Sequence, residues 1–253
     1  MTKQTLTQSL ANPTRFMWLS GALLPWITVA AILVLTVGLV WTFRFTPPDY
    51  QHKETVTIMF VHVPAAWIGM GCYMLIAISS AGLLIWRHPL ADVSAKAAAP
   101  VGAAFTLVCL ITGSLWGMPG WGTYWEWDPR LTSELMLLFL YFGYMGLRSA
   151  FDTVAQADRA SAVLAIVGVV NVPVIHFSVV WWASLHQGPT LSKLEAPSIV
   201  GDMLWPLLTM LLAFTLFFLG VLAMRVRAEV LEREIQARWA QDVLRGASPA
   251  GVN

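Results

Sequence analysis

Two groups of residues in this sequence have the types and spacing for ligand chemistry. One is a run at 116–130, and the other is a set of histidines. The run reads Trp116-Gly-Met-Pro-Gly-Trp121-Gly-Thr-Tyr124-Trp125-Glu126-Trp127-Asp128-Pro-Arg130, with four Trp, one Tyr, two carboxylates and one Arg in fifteen residues. Apolar stretches about as long as a membrane span flank it on both sides. The run is too polar to cross a bilayer and too aromatic for a plain connection. Amphipathic rings belong at the lipid headgroup level, so one reading is an interfacial anchor. The other is a flat platform for a flat ligand.

Of the five histidines, His52 and His88 fall in loops, where a solvated surface role is the default. His62 lies in Val61-His62-Val63-Pro64, and His186 in Ser184-Leu185-His186-Gln187-Gly188. His176 sits about ten residues deeper, roughly 15 Å along a helix. An ionisable group inside a span is a functional candidate because burying it is costly. His176 equally suits a hydrogen bond across a helix interface.

These residues need elements to hold them. The chain is 57% hydrophobic and 11% charged, against about 25% charged in a soluble domain, so it is an integral membrane protein. Six apolar segments are long enough to span, near 17–43, 56–86, 97–116, 131–150, 160–184 and 203–224. The second, at 31 residues, would reach about 46 Å, so its first turns should project above the hydrocarbon. The fifth carries Asn171 and Pro173 mid-way, and a mid-span Pro usually kinks a helix. With the N-terminus cytoplasmic, eleven Lys and Arg fall on the inner side (Lys3, Arg15, Arg87, Lys96, Arg148, Arg159, Arg225, Arg227, Arg233, Arg238, Arg245). Four fall on the outer side (Arg44, Lys53, Arg130, Lys193). That asymmetry predicts both termini cytoplasmic and the Trp-rich run outside. No small-residue cleavage pattern follows the polar first residues, so a cleaved signal peptide is not expected.

The predicted fold is an all-α polytopic membrane protein with six transmembrane helices, and the Trp-rich run lies outside, between the third and fourth. Residues 1–224 form the membrane domain, and 225–253 a cytoplasmic helix and tail. In that tail Val226, Val230, Ile235, Trp239 and Val243 recur at helical spacing. The stripe suits a partner, the membrane surface, or the protein's own membrane domain.

This topology puts His62 and His186 at one height, on the side of the indoles. Two imidazoles with aromatic rings between them suit a large aromatic ligand containing a metal, and haem iron accepts axial imidazoles from both sides. Arg130 could pair with a propionate. Asp128 invites an acid/base reading, but Asp128-Pro129 also opens the fourth span, where Asp caps the first turn and Pro fits the first helical position. Glu134 faces the same outer cavity or pairs with Arg130 at i, i+4. Cys72 and Cys109, the only cysteines, lie in apolar runs and read as small core residues. No Cys-x-x-Cys-His occurs, so covalent haem attachment of the c type is excluded. No basic patch supports nucleic-acid binding at a net charge of +1. Neither a P-loop nor a nucleophile triad is visible.

The run 116–130 resembles the WWD signature of haem-handling proteins. With His62-Val-Pro-Ala-Ala-Trp67 and His176-Phe-Ser-Val-Val-Trp-Trp-Ala-Ser-Leu-His186-Gln-Gly, it resembles the cytochrome c maturation protein C (haem exporter protein C) family across roughly 15–225. Tyr124 stands where another aromatic, often Trp, is expected; stacking survives that change. The resemblance implies a haem chaperone of system I cytochrome c maturation in the bacterial inner membrane. It would hold haem b transiently at the periplasmic face, with His62 and His186 as iron ligands. Trp116, Trp121, Trp125, Trp127, Asp128 and Arg130 would complete the site. The implied acceptor is the haem chaperone maturation protein E, loaded through a covalent bond to an acceptor histidine. Implied partners are a single-span protein D and an ATP-binding-cassette complex of proteins A and B. The implied activity is non-classical, lyase-like haem transfer. A haem or solute transporter subunit is the alternative, for which only Asn171 and His176 offer polar groups at mid-depth. A membrane oxidoreductase would ordinarily need histidine pairs within the spans, and the single deep His176 does not supply them.

Overall fold

The structure is a computed structural model describing residues 12–50, 52–188 and 198–245. Its long helices are α1 (Pro13–Phe45), α2 (Met59–Trp86), α3 (Pro89–Trp121), α4 (Pro129–Ser149) and α7 (Gly201–Arg233). Shorter ones are α5 (Val154–Gly168), α6 (Asn171–Trp181) and α8 (Arg238–Leu244), and a 3-10 turn, Glu54–Ile58, leads into α2. Among the described residues the fold is all-helical, with one isolated bridge between Asp49 and Lys53.

Local chemistry sets several ends. Asn12 caps α1, its side chain accepting from the Thr14 N–H at 3.0 Å, with Pro13 first in the helix. Asp128 caps α4, accepting from the Arg130 N–H at 2.8 Å, with Pro129 first in the helix. Thr153 caps α5. Helix α3 stops at Gly122, whose φ of +82° suits glycine and few other residues.

Five helical stretches among the described residues are long and apolar enough to cross a membrane: Pro13–Phe45, Glu54–Trp86, Pro89–Trp121, Val154–Trp181 and Gly201–Arg233. Helix α4 has 21 residues, about 31 Å, but a more polar composition. Its Leu137, Leu138, Tyr141 and Tyr144 join the core of the bundle, where the Tyr141 hydroxyl donates to the Gly69 carbonyl at 2.7 Å and its ring meets Tyr73 edge-on, while Met136, Phe139 and Phe142 face outward.

Three expectations needed adjustment. Helix α3 starts at Pro89 rather than near 97 and continues through Trp116 to Trp121, so the Trp-rich run begins as helix. The fifth segment is two helices separated at Val169 and Val170, just ahead of Asn171 and Pro173. The charged tail is not one helix from 225: α7 runs unbroken to Arg233, and a turn precedes α8. Of the tail stripe, Val226, Val230, Trp239 and Val243 pack against Met17, Val93 and Ala97 of the bundle, whereas Ile235 stays exposed.

The end of the bundle away from the Trp-rich run is tied by charge. Buried Asp92 accepts two bonds from Arg148, at 2.7 and 3.2 Å, and one from Arg233. Arg148 also reaches Asp158 at 2.7 Å. Helices α3, α4, α5 and α7 are thereby held at one level.

Candidate functional site

At the opposite end lies a cavity of about 350 Å³. Its walls come from the start of α2, the end of α3, the start of α4, the end of α6 and the segment after it. They include His62, Trp116, Trp121, Arg130 and His186, together with Trp67, Cys109, Glu134, His176 and Leu207. Five of the eight sequence-predicted site residues therefore share one concave surface. Trp125 and Trp127 are not on that wall: they meet each other edge-on at 5.6 Å beside it, and Trp127 is 75% exposed. Tyr124 is exposed as well.

The rings form walls rather than one flat floor. Trp116 lies edge-on to His62, with centroids 5.9 Å apart, and Trp121 edge-on to His186 at 4.7 Å.

The surroundings of His62 fix its tautomer. Its Nδ1 is 3.0 Å from the Cys109 carbonyl and 3.2 Å from Thr112 Oγ1. A carbonyl only accepts, so Nδ1 carries the proton and Nε2 keeps its lone pair for the cavity. Thr112 donates its own hydroxyl to the Val108 carbonyl at 2.6 Å. Gly113 makes room for the ring, since a Cβ there would stand 2.9 Å from His62 Cε1.

His186 is held from behind by Asp128. The carboxylate Oδ1 lies 3.3 Å from His186 Nδ1, within ion-pair reach though not aligned as a hydrogen bond. Its Oδ2 accepts from the Leu185 N–H at 2.9 Å, and the His186 N–H donates to Ser184 Oγ at 3.1 Å. Burial pushes the His186 pKa down to about 4; Asp128 opposes the shift, while Arg130 and His62 add to it. The imidazole is thus neutral at pH 7 and able to coordinate a metal. Burial disfavours the charge on Asp128 too, but hydrogen bonds from Ser184, Leu185 and Arg130 hold its carboxyl below the usual range. Asp128 therefore caps α4 and positions His186, a second task that its place in the sequence did not reveal.

Arg130 does not bond to Glu134. Its guanidinium donates to the His176 carbonyl at 3.3 Å, and Glu134 Oε1 has no hydrogen-bond partner. The interhelical bond at His176 is thus made by its backbone, while its ring meets Phe177 edge-on. Asn171 donates to the Ser133 carbonyl at 2.9 Å, which engages its amide in holding α6 to α4.

Sequence reasoning missed His52. Its side chain is only 12% exposed, its ring is 5.1 Å from Trp116, and it lines the cavity. The one sequence signal was the Asp49-x-x-His52 spacing, which is weak. Cys72 and Cys109 are free and buried, as expected of small core residues, although Cys109 also reaches the cavity wall.

The chain is similar over its length to known proteins. A family model described as heme exporter protein C matches residues 6–241. Heme exporter protein C of Bradyrhizobium diazoefficiens is 50% identical over 228 residues, covering 90% of this chain and 86% of the relative. That of Escherichia coli K12 is 44% identical over 241 residues, covering 95% and 97%. That of Rhodobacter capsulatus is 43% identical over 229 residues, covering 90% and 94%. With its matched length, its apolar helices and its paired imidazoles, the chain belongs to the heme exporter protein C family.

Proposed function

We propose that this protein holds haem at the outer face of the bacterial inner membrane and passes it to a periplasmic acceptor, the haem chaperone maturation protein E. The observation that carries this reading is one cavity whose lining brings together His62, His186, Trp116, Trp121 and Arg130. Helix α4 serves as the sixth span, because its 31 Å matches a hydrocarbon core and its polar residues turn inward. Both termini are then cytoplasmic and the cavity periplasmic, in line with the charge asymmetry of the loops.

The residues present fit haem. His62 offers Nε2, and His186 is neutral and backed by a carboxylate, the usual second partner of a metal-bound imidazole. Trp116 Nε1 and Arg130 Nε are buried donors without partners, suited to carboxylate acceptors such as propionates. A cavity of about 350 Å³ is near the lower end for small-molecule sites, so a haem-sized disc keeps an edge outside. That edge is what an acceptor needs to reach.

Each side chain then has a task. His62 and His186 would supply imidazole nitrogens to the iron, and Trp116 and Trp121 would shield the macrocycle. Arg130 orients its carboxylates, while Asp128 fixes the segment that carries His186. Trp125 and Trp127, beside the cavity, offer aromatic surface to haem or to the acceptor. Haem b, bound transiently, is cargo, and it would supply a vinyl group across which the acceptor histidine N–H adds, the N–C bond forming as the C=C π bond and the N–H bond break and the proton passing to the other vinyl carbon. The activity this reading assigns is lyase-like transfer of haem. Protein D and the ATP-binding-cassette proteins A and B complete the assembly.

The test is the Soret spectrum of the purified protein beside His62→Ala and His186→Ala. His186→Ala should lose haem or change its ligand field and His62→Ala should retain less haem, and unchanged haem content and spectra in both overturn the assignment. For the transporter alternative, the mid-depth amide of Asn171 is already bonded to α4, which leaves little to line a path.

A further inference from the structure

Two further imidazoles line the cavity, His176, whose ring meets Phe177 edge-on, and His52, which the proposed function leaves without a task. His52 lies in the segment between α1 and α2, against the same indole as His62: its ring centroid is 5.1 Å from that of Trp116, and the His62 centroid is 5.9 Å from it. It is built in rather than loosely placed. Asp49 Oδ1 accepts from the His52 N–H at 2.9 Å and lies 3.2 Å from its Nδ1. The His52 carbonyl accepts from the Thr55 hydroxyl at 2.6 Å, and paired backbone bonds between Asp49 and Lys53 close the turn.

This arrangement selects the chemistry. A carboxylate only accepts, so Nδ1 carries the proton and Nε2 keeps a lone pair. A carboxylate behind an imidazole fixes the orientation of a metal-ligating ring. Residue 120 decides whether that nitrogen is covered: a Cβ there would sit 3.3 Å from His52 Nε2, and Gly120 leaves the approach open. Among the described residues no three His, Cys, Asp or Glu side chains converge to hold a bare metal ion. His52, His62 and His186 are therefore separate donors along one cavity.

Resting on the haem reading above, we propose that His52 is a third iron-ligating imidazole, which exchanges with His62 as axial donor while haem leaves the cavity. The exchange is balanced: one N–Fe bond forms at His52 Nε2 as the bond to His62 Nε2 breaks. No electron or proton is transferred. Iron then keeps two imidazoles throughout the exchange.

The experiment compares purified wild type, His62→Ala and His62→Ala/His52→Gln by absorption and resonance Raman spectroscopy of the bound haem. The wild type is expected to be six-coordinate and low-spin, and His62→Ala should stay so through His52. The double variant should become high-spin and five-coordinate, and added imidazole should restore the low-spin spectrum, which shows that the cavity is intact. Gly120→Ala in the His62→Ala background should have the same effect as removing His52. A His62→Ala protein that is already high-spin, or a double variant that stays low-spin, overturns the proposal while leaving the haem reading in place. A wild type with no low-spin haem overturns both.

Discussion

Replacing Gly113 by Ala places one methyl group against the ring that the haem reading depends on most. The new Cβ would stand 2.9 Å from His62 Cε1 and 3.4 Å from Nδ1. Carbon atoms prefer about 3.5–4.0 Å, so the ring must retreat by roughly 0.6 Å or more. It cannot do so freely, because Nδ1 is fixed to the Cys109 carbonyl at 3.0 Å and sits 3.2 Å from Thr112 Oγ1. A retreat of that size stretches the first bond past hydrogen-bond length, a loss of about 1 kcal/mol. The larger effect is on the ligand: losing the partner that orients a metal-bound histidine typically costs 10- to 100-fold in affinity. Folding should not suffer, because Ala is favoured over Gly within a helix by up to about 1 kcal/mol. Haem titration of Gly113→Ala should therefore show affinity lower by about 10- to 100-fold with an unchanged melting temperature. Gly71→Ala is the control, since a Cβ there meets nothing within 4 Å. Wild-type affinity in Gly113→Ala would refute the claim that His62 is held in a ligand-ready pose by α3.

Three further outcomes follow from the geometry. His186 has a folded-state pKa of about 4 against an ordinary 6.5, so its contribution to stability is complete above pH 6.5 and declines as pH falls toward 4. By pH 5 the loss is about 2 kcal/mol, and thermal melts of the haem-free protein between pH 7 and 5 should show it in wild type and not in His186→Gln. Asp128→Ala removes the cap of α4 and the acceptor for Leu185, which should cost about 1–2 kcal/mol and lower haem occupancy. Asp128→Asn keeps a capping side chain and should recover most of the stability but less of the occupancy, as melting and the Soret band will report. Asp92→Ala leaves Arg148 and Arg233 facing a site without its carboxylate, and a destabilisation of about 3–5 kcal/mol is expected in denaturation or limited proteolysis.

What could be read from the sequence was what obeys local rules. Asp128-Pro129 announces a helix start, and it is one. The lengths of the apolar runs placed His62 and His186 at one level, and both line one cavity. The positions of breaks were harder. Pro173 marks the fifth segment as irregular, but the interruption falls three and four residues earlier, at Val169 and Val170, where Asn171 bonds sideways to α4. Tertiary partners, not the local sequence, decide which turn opens. Trp121 fell beyond the third apolar segment, placed at 97–116; α3 instead runs on past Gly117 and Pro119 to Trp121. His52 was beyond reach for another reason. Nothing local distinguishes a loop histidine in water from one folded against Trp116, since the difference lies in a helix some sixty residues away.

The uninterrupted course of α7 has a mechanical consequence. Leu207, near its beginning, is part of the cavity wall, and Arg233, at its end, grips Asp92 in the far-side ion cluster. Twenty-six residues of helix separate them, about 39 Å. The only proline within α7 is Pro206, next to Leu207. The helix is thus a stiff lever with its natural pivot beside the cargo. A tilt of about 3° at that pivot sweeps the other end through roughly 2 Å, enough to part a salt bridge, and a push of the same size there reaches the cavity as a small rotation of its wall.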